Sequence, residues 1–385
     1  MQPSRLETIG IAVTAAFLVL SQQGAATANH GLRREAWEPL CLLSVELDEV
    51  PAAALDAATN VAKTALGPQK EAPRGQVYLA AKPDDSDNNK LAVLSAYQQT
   101  ATYAIVKTLK AAGLEKALEA TQTTSYLKGK IDEWLNIAKQ TKGASHGCLA
   151  ERSGGSAVAQ AGRSIEGVTC PLTQTKLVKK ARKATKLTEK GFSGLRNPGE
   201  DSSDYQDNTA ECRLMHYDSG NGLVKTDHND ADSKMAYIDG YIQVSAAKSN
   251  KAVLAFGGSD AQPEASRHPA WAAAYAAVQN ELKPTAEEHT NKTDKLTADA
   301  EAETLFALIG SAGKPRESTA VQAYKTQLFT ASTADEVKRL MTKVATFKLP
   351  SKFGDKAKDT LLGEITEVNV LAALLADFQL KMHKI

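Results

Sequence analysis

The chain has 385 residues, of which 46 are basic and 45 acidic, for a net charge of +1. That balance excludes a global electrostatic pull toward nucleic acid or membrane. Aromatic residues make up 5 % and alanine is abundant, a composition that favours long helices in close contact over a thick globular core.

The first segment has the marks of a secretory signal. Ile9 to Leu20 is an apolar run of about a dozen residues, too short to span a bilayer. Small residues follow, and Ala26-Thr27-Ala28 is a suitable cleavage site, so residues 1–28 are read as a signal peptide and Asn29 as the mature start. No other run is long and apolar enough to cross a membrane.

Trp37-Glu-Pro-Leu-Cys41 then opens a heptad ladder of Leu40, Leu43, Leu47, Val50, Ala54, Ala57 and Val61. Alternating steps of three and four place these side chains on one helical seam. The helical stretch is predicted from about Ala36 to Lys82. Pro39 is expected in its first turn, where a missing amide costs nothing. Pro51 must kink or break the helix, and Gly67-Pro68 and Pro73 predict further irregularity. Asp84 to Asn89 reads as a polar turn. A second helix follows, with Leu94, Tyr97, Ala101, Ile105, Leu109 and Ala112 on one face, a kink near Gly113, and Leu127, Ile131, Trp134 and Ala138 continuing; Thr124-Ser125 is a candidate cap. Two helices of roughly 45 residues joined by a turn make an antiparallel hairpin about 70 Å long.

From Gly143 to about Gly222, glycine, serine and threonine replace periodicity, and three of the four cysteines fall there. Met235 to Val244 predicts a short strand or two. Shorter helices and loops are expected from Ala252 to Phe353, with Ala270–Leu282 and Ser318–Phe329 the clearer helices. Val368, Leu371, Leu375, Phe378 and Met382 form a last heptad stripe, and because the sequence stops within it a downstream segment is expected.

In an oxidising compartment, Cys41, Cys148, Cys170 and Cys212 are read as two disulfides, with three connectivities open. His146-Gly-Cys148 and Cys212-x-x-x-His216 suggest metal ligands, but neither has the paired spacing of a zinc knuckle, so no metal is expected. Asn291-Lys-Thr293 is the single sequon and predicts a surface glycan.

Catalytic patterns fail on inspection. Gly310-Ser-Ala-Gly-Lys314 has the wrong spacing for a phosphate loop, and Pro315 stands where a hydroxyl should hold magnesium. Ser125-Tyr-Leu-Lys128 matches Ser-x-x-Lys but lacks its companion motifs. Asp227 to Asp232 begins like a calcium loop, yet Ala231 and Asp232 occupy positions five and six. The seven histidines are scattered. Lys176 to Lys190 gathers six lysines and Arg182 with no aromatic interleaved, and a solvated helix or loop face is favoured over nucleic acid. No enzyme activity and no cofactor are expected.

Ala36-Trp-x-Pro-Leu-Cys41, Thr123-Thr-Ser-Tyr-Leu-Lys-Gly-Lys-Ile-Asp-Glu-Trp-Leu-Asn136, Asp207-Asn-Thr-Ala-Glu-Cys-Arg-Leu214 and Asn221-Gly-Leu-Val-Lys225 occur in this order, with the four cysteines and the sequon spaced around them. Together they resemble the N-terminal domain of the trypanosome variant surface glycoproteins, class A type, from about residue 31 to 385. The resemblance implies a mainly α fold, an elongated antiparallel long-helix hairpin forming a coiled-coil rod, with irregular distal and membrane-proximal lobes and minor β structure. It implies a hairpin over 29–142, a disulfide-stapled distal lobe over 143–250, a membrane-proximal lobe over 251–363, and a C-terminal helix over 364–385 leading to a further domain. It pairs Cys41 with Cys170 and Cys148 with Cys212, and puts a glycan on Asn291. A disulfide closing a loop of roughly 130 residues contributes about 4–5 kcal/mol in a chain-entropy estimate.

The function implied is a non-enzymatic coat glycoprotein on the extracellular face of the plasma membrane. Such a coat shields the parasite and mediates antigenic variation and immune evasion. Its expected partners are a second copy in a homodimer, neighbouring coat proteins, host antibodies, and the membrane through a C-terminal glycolipid (GPI) anchor that this sequence lacks. The alternative is a receptor or serum-factor-binding protein on the same scaffold, and the full-length segment between Cys148 and Lys225 favours the coat.

Overall fold

The structure is a computed structural model that describes residues 30–143, 147–151, 160–161, 163–196, 206–215, 235–244, 253–281, 296, 300–310, 318–329 and 333–382. In chain order a short strand, β1 (His30–Leu32), leads into α1 (Arg34–Leu47), α2 (Val50–Thr64) and α3 (Leu66–Ala81). After a turn come α4 (Asn88–Thr108), a π-helical turn (Leu109–Gly113) and α5 (Leu114–Gln140). Short strands follow: β2 (Gln160–Ala161), β3 (Ser164–Ile165), β4 (Val168–Thr169), β5 (Leu187–Thr188), β6 (Gly191–Phe192), β7 (Gln206–Glu211), β8 (Met235–Tyr237), β9 (Ile242–Val244) and β10 (Val253–Leu254). The remaining helices are α6 (Pro269–Gln279), α7 (Ala300–Gly310), α8 (Ser318–Leu328), α9 (Thr333–Ala345) and α10 (Val368–Met382). The fold is mainly α, a long-helix hairpin with small antiparallel sheets.

The prolines decide where the first helical stretch is cut. Pro51 is the second residue of α2, where its missing amide is harmless, and the chain breaks at Asp48–Glu49 ahead of it. Pro68 likewise sits in the first turn of α3. Pro39 departs from expectation: α1 begins at Arg34, so this proline lies inside the helix rather than in its first turn. The predicted kink near Gly113 is the π-helical turn, one residue wider than an α turn. Thr124 does not cap a helix; it lies within α5, and its hydroxyl donates to the Ala120 carbonyl at 2.6 Å.

The described residues pack as two units. The first comprises Met1–Ala53 with Glu119–Glu281, and the second Ala54–Leu118 with Leu282–Ile385. In the first, Leu40, Leu43, Leu47 and Val50 of the ladder are buried with Leu127, Ile131, Trp134 and Ala138 of α5. The β8–β9 hairpin turns through Ile238, Asp239 and Gly240, all at positive φ (51°, 54° and 82°). That turn receives α6: the Trp271 indole donates to the Ile238 carbonyl at 2.8 Å, and Asp239 accepts the Ala270 amide at 2.7 Å. An aromatic cluster of Phe192, Tyr241, Phe256 and Trp271 fills the space beneath.

In the second unit α3 and α4 lie side by side, close enough that a Cβ on Gly75 would strike the Ser95 hydroxyl. Val77, Leu94 and Tyr97 share a core with Phe306 of α7 and with Val337, Leu340 and Val344 of α9. The C-terminal stripe is narrower than predicted: Leu371 and Leu374 are buried, whereas Val368 and Met382 are exposed. Arg74 is buried and donates to the Gly363 carbonyl at 2.7 Å and the Ile365 carbonyl at 2.8 Å, satisfying acceptors the chain leaves open there.

Candidate functional site

The sequence-predicted cysteines meet in the first unit. Cys41, near the middle of α1, is joined to Cys170, which follows β4 directly; Cys148, after α5, is joined to Cys212, which follows β7. No cysteine is free. The two cysteines suggested as separate metal ligands are therefore bonded to each other. Asn291, His146, His216 and the Asp227–Asp232 segment lie outside the described residues. So does most of Gly310–Lys314.

The two bridges sit in a knot of backbone contacts. The Leu32 amide donates to the Cys148 carbonyl at 2.9 Å, and the Ala150 amide returns the bond to the Leu32 carbonyl at 2.8 Å. The Trp37 indole donates to the Ala150 carbonyl at 3.0 Å. β1 pairs antiparallel with β7, so the Cys148–Cys212 bridge holds both neighbours of the entering chain. Gly31 passes so close to the Gly147 carbonyl that a side chain there would meet backbone.

A second tie, invisible in the motifs, is Glu46 on α1. Although 5 % exposed, its carboxylate accepts the backbone amides of Thr185 (2.9 Å), Lys186 (2.7 Å) and Leu187 (2.9 Å), the Thr185 hydroxyl (2.7 Å), and a weak contact from Arg182 (3.4 Å). Three converging amides and an arginine offset the desolvation of a buried charge. Asp48 and Glu49 extend the pattern: Asp48 accepts the Thr175 amide at 3.1 Å and its hydroxyl at 2.5 Å, and Glu49 pairs with Lys180 at 2.5 Å. The acidic end of α1 thus holds the basic segment 175–187 along its length. Sequence reading missed Glu46, though a signal was present: acids at 46, 48 and 49 face a run of opposite charge later in the chain.

Among the described residues, the nearest approach to catalytic chemistry is a third polar group. Lys128 ion-pairs with Asp132 and donates to the Ser44 hydroxyl at 3.2 Å, while the Ser44 hydroxyl donates to Asp132. These residues include the lysine of the Ser-x-x-Lys tetrapeptide, but its amine engages Ser44 and Asp132 across the α1–α5 contact. Ser44 is 2 % exposed and Lys128 4 %. A serine closed off from solvent has no substrate to attack, and the three groups neutralise one another inside the core. An open depression of about 830 Å³ lies beside α5, lined by Tyr126, Lys130, Trp134 and Tyr237 among others. Lys130 stands over the Tyr126 ring at 4.8 Å and pairs with Asp239 at 3.6 Å, and burial pushes the Tyr237 phenol up to about 12. Among its described lining residues no nucleophile, base and orienting group come together. Nor do three or more His, Cys, Asp or Glu residues gather in a metal-holding group among the described residues.

Comparison with known proteins places these features. The family model described as trypanosome variant surface glycoprotein (A-type) matches residues 13–379. Variant surface glycoprotein MITAT 1.2 of Trypanosoma brucei brucei is 27 % identical over 359 residues, covering 92 % of this chain and 74 % of the relative. Variant surface glycoprotein MITAT 1.1 of the same organism is 26 % identical over 387 residues, covering 97 % and 76 %. The solved structure of MITat 1.1 superposes with a TM-score of 0.82 at 25 % identity, covering 93 % of this chain and 98 % of that one.

Proposed function

The chain belongs to the A-type variant surface glycoproteins of trypanosomes, and from that premise we propose that it works as a GPI-anchored homodimer recognised by host antibodies. The family role is that of a non-enzymatic coat glycoprotein at the cell surface, serving antigenic variation. No helix among the described residues is long and apolar enough to cross a membrane, and a lipid anchor at the C-terminus supplies attachment in this reading. Residues 143–250 form the distal lobe, residues 251–363 the membrane-proximal lobe, and α10 leads toward the anchor. Neighbouring copies pack around each dimer, and Asn291 carries a glycan.

One observation carries the dimer. The helices flanking the π-helical turn present large apolar side chains to solvent: Tyr103 is 69 % exposed and Leu118 70 %, with Val106 and Leu114 between them. These residues recur on a helical stripe, and burying such a stripe in a second copy removes apolar area from water at about 25 cal/mol per Å². Light scattering of the purified protein is expected to give twice the mass of its single mature chain measured under denaturing conditions. Replacing Tyr103 and Leu118 together by glutamate is expected to give the monomer mass with an unchanged helical signal. A strict monomer for the unaltered protein at micromolar concentration overturns the reading.

A further inference from the structure

The basic segment Lys176–Lys190 carries seven positive side chains and one acid, Glu189, in a chain whose net charge is +1. The structure divides those charges into two sets. Two are paired to acids: the solvent-exposed Lys180 to Glu49, and the inward-facing Arg182 to Glu46 and to Glu281 at 3.5 Å. The other five lysines, Lys176, Lys179, Lys183, Lys186 and Lys190, make no ion pair with any described residue, and all but the half-buried Lys186 are exposed. From Thr175 to Ala184 the segment has neither helix nor strand, yet it is fastened to α1 by Thr175, Lys180 and Thr185. The negative charge of Glu46, Asp48 and Glu49 is occupied by those contacts, which leaves a surplus of cations on a held, solvent-facing strap.

We propose that this strap is a binding site for sulfated glycosaminoglycan, the linear polyanion of extracellular surfaces. Fixed ammonium groups strung along a chain match a polymer with a regular series of sulfates, and release of condensed counterions drives the association. Fastening to α1 removes part of the ordering cost that a free basic loop would carry. Single-stranded nucleic acid is the less suited polyanion, because it is gripped by aromatic side chains stacked on bases and Lys176–Lys190 contains none. The compartment agrees, since a coat protein meets glycans rather than nucleic acid.

Binding to immobilised heparin at rising salt tests the proposal. The variant K176Q/K179Q/K183Q removes three exposed charges and keeps the Lys180 and Arg182 anchors. A charge-matched control, K63Q/K352Q/K358Q, alters exposed lysines of the second unit that lie outside the proposed dimer stripe. The strap variant is expected to bind at least about tenfold more weakly near 0.15 M salt, with the slope of log K against log salt reduced by about two. The control is expected to bind like the unaltered protein, and desulfated heparin to bind neither. Equal losses in both variants, equal binding of desulfated heparin, or preference for single-stranded DNA of matched length would each overturn the assignment. The desulfated and DNA comparisons use the unaltered protein, so they decide the matter even if the strap variant does not fold.

Discussion

Glu46 joins the end of α1 to residues 182–187 by accepting amides from three consecutive residues, and no single neutral group can replace it. Glu46→Gln keeps the volume but leaves one acceptor oxygen and puts an NH2 among N–H donors. It is expected to cost about 2–4 kcal/mol in urea unfolding followed by tryptophan fluorescence, with faster hydrogen exchange at residues 185–187. Asp85 shows the same physics at a more accessible place. Its carboxylate accepts from Lys343 at 2.6 Å, from the Asp87 amide at 2.9 Å and from the Tyr78 hydroxyl at 2.7 Å. These bonds, the Lys343 ammonium foremost, hold its pKa down at about 2, and Asp87 is likewise lowered, first by Arg339. A depressed carboxylate stabilises the fold fully above its unfolded value near 4, and that stability is lost as the pH falls from about 4 to about 2. Protection of the α9 amides, taken relative to the intrinsic exchange rate at each pH, is therefore expected to fall as the pH drops across that window, and Lys343→Met is expected to flatten the dependence. Neither cluster was legible in the sequence as a contact. The acids and the basic run were both visible, but they lie more than a hundred residues apart, and no period links them.

The helices were the most legible elements, because burial of a heptad seam writes itself into residue spacing. Leu40, Leu43, Leu47, Val50, Ala57 and Val61 are buried as the ladder requires, and Ala54 is half-buried. The cuts between α1, α2 and α3 were legible in part from proline chemistry. Pro39 was misplaced because the helix starts at Arg34, two residues before the predicted start at Ala36, and no side chain caps it there. α7 and α9 went unpredicted as distinct helices. In α9 the spacing of Val337, Leu340, Met341 and Val344, with polar residues on the opposite face, is a full amphipathic signal, and its helix was legible though it went unpredicted. The α3–α4 contact was not legible at all, since it depends on a missing side chain at Gly75. Gly75→Ala is expected to destabilise the second unit by about 1–3 kcal/mol through overpacking. Adding Ser95→Ala is expected to recover most of the loss, because the hydroxyl of Ser95 is the severe clash and its Cβ at 3.3 Å needs only a small shift. A denaturant series on both variants read by circular dichroism measures this, and a double variant no better than Gly75→Ala would contradict the account.

At the scale of the molecule, all four cysteines and all three tryptophans (Trp37, Trp134 and Trp271) belong to the first unit. Tryptophan fluorescence therefore reports that unit alone, while circular dichroism reports the helices of both. Reduction is expected to lower the stability seen by fluorescence by about 4–5 kcal/mol per bridge at most. The circular dichroism transition is expected to separate into two steps, with the upper step unchanged by the reductant. Sequence composition conveyed the mainly α class and the scarcity of catalytic groups, and the ordered motifs conveyed the family. The division into packing units was beyond it, because each unit is assembled from two distant stretches of chain. The bridge between Cys148 and Cys212 has one more effect. Residues 176–190 offer exposed lysines, Lys176, Lys179 and Lys183 among them, which is what a trypsin-like protease requires. A cut there separates the chain into a piece carrying Cys41, Cys148 and Cys170 and a piece carrying Cys212. The bond from Cys148 to Cys212 spans the cut, so a severed molecule keeps its mass and stays in the coat until it meets a reductant.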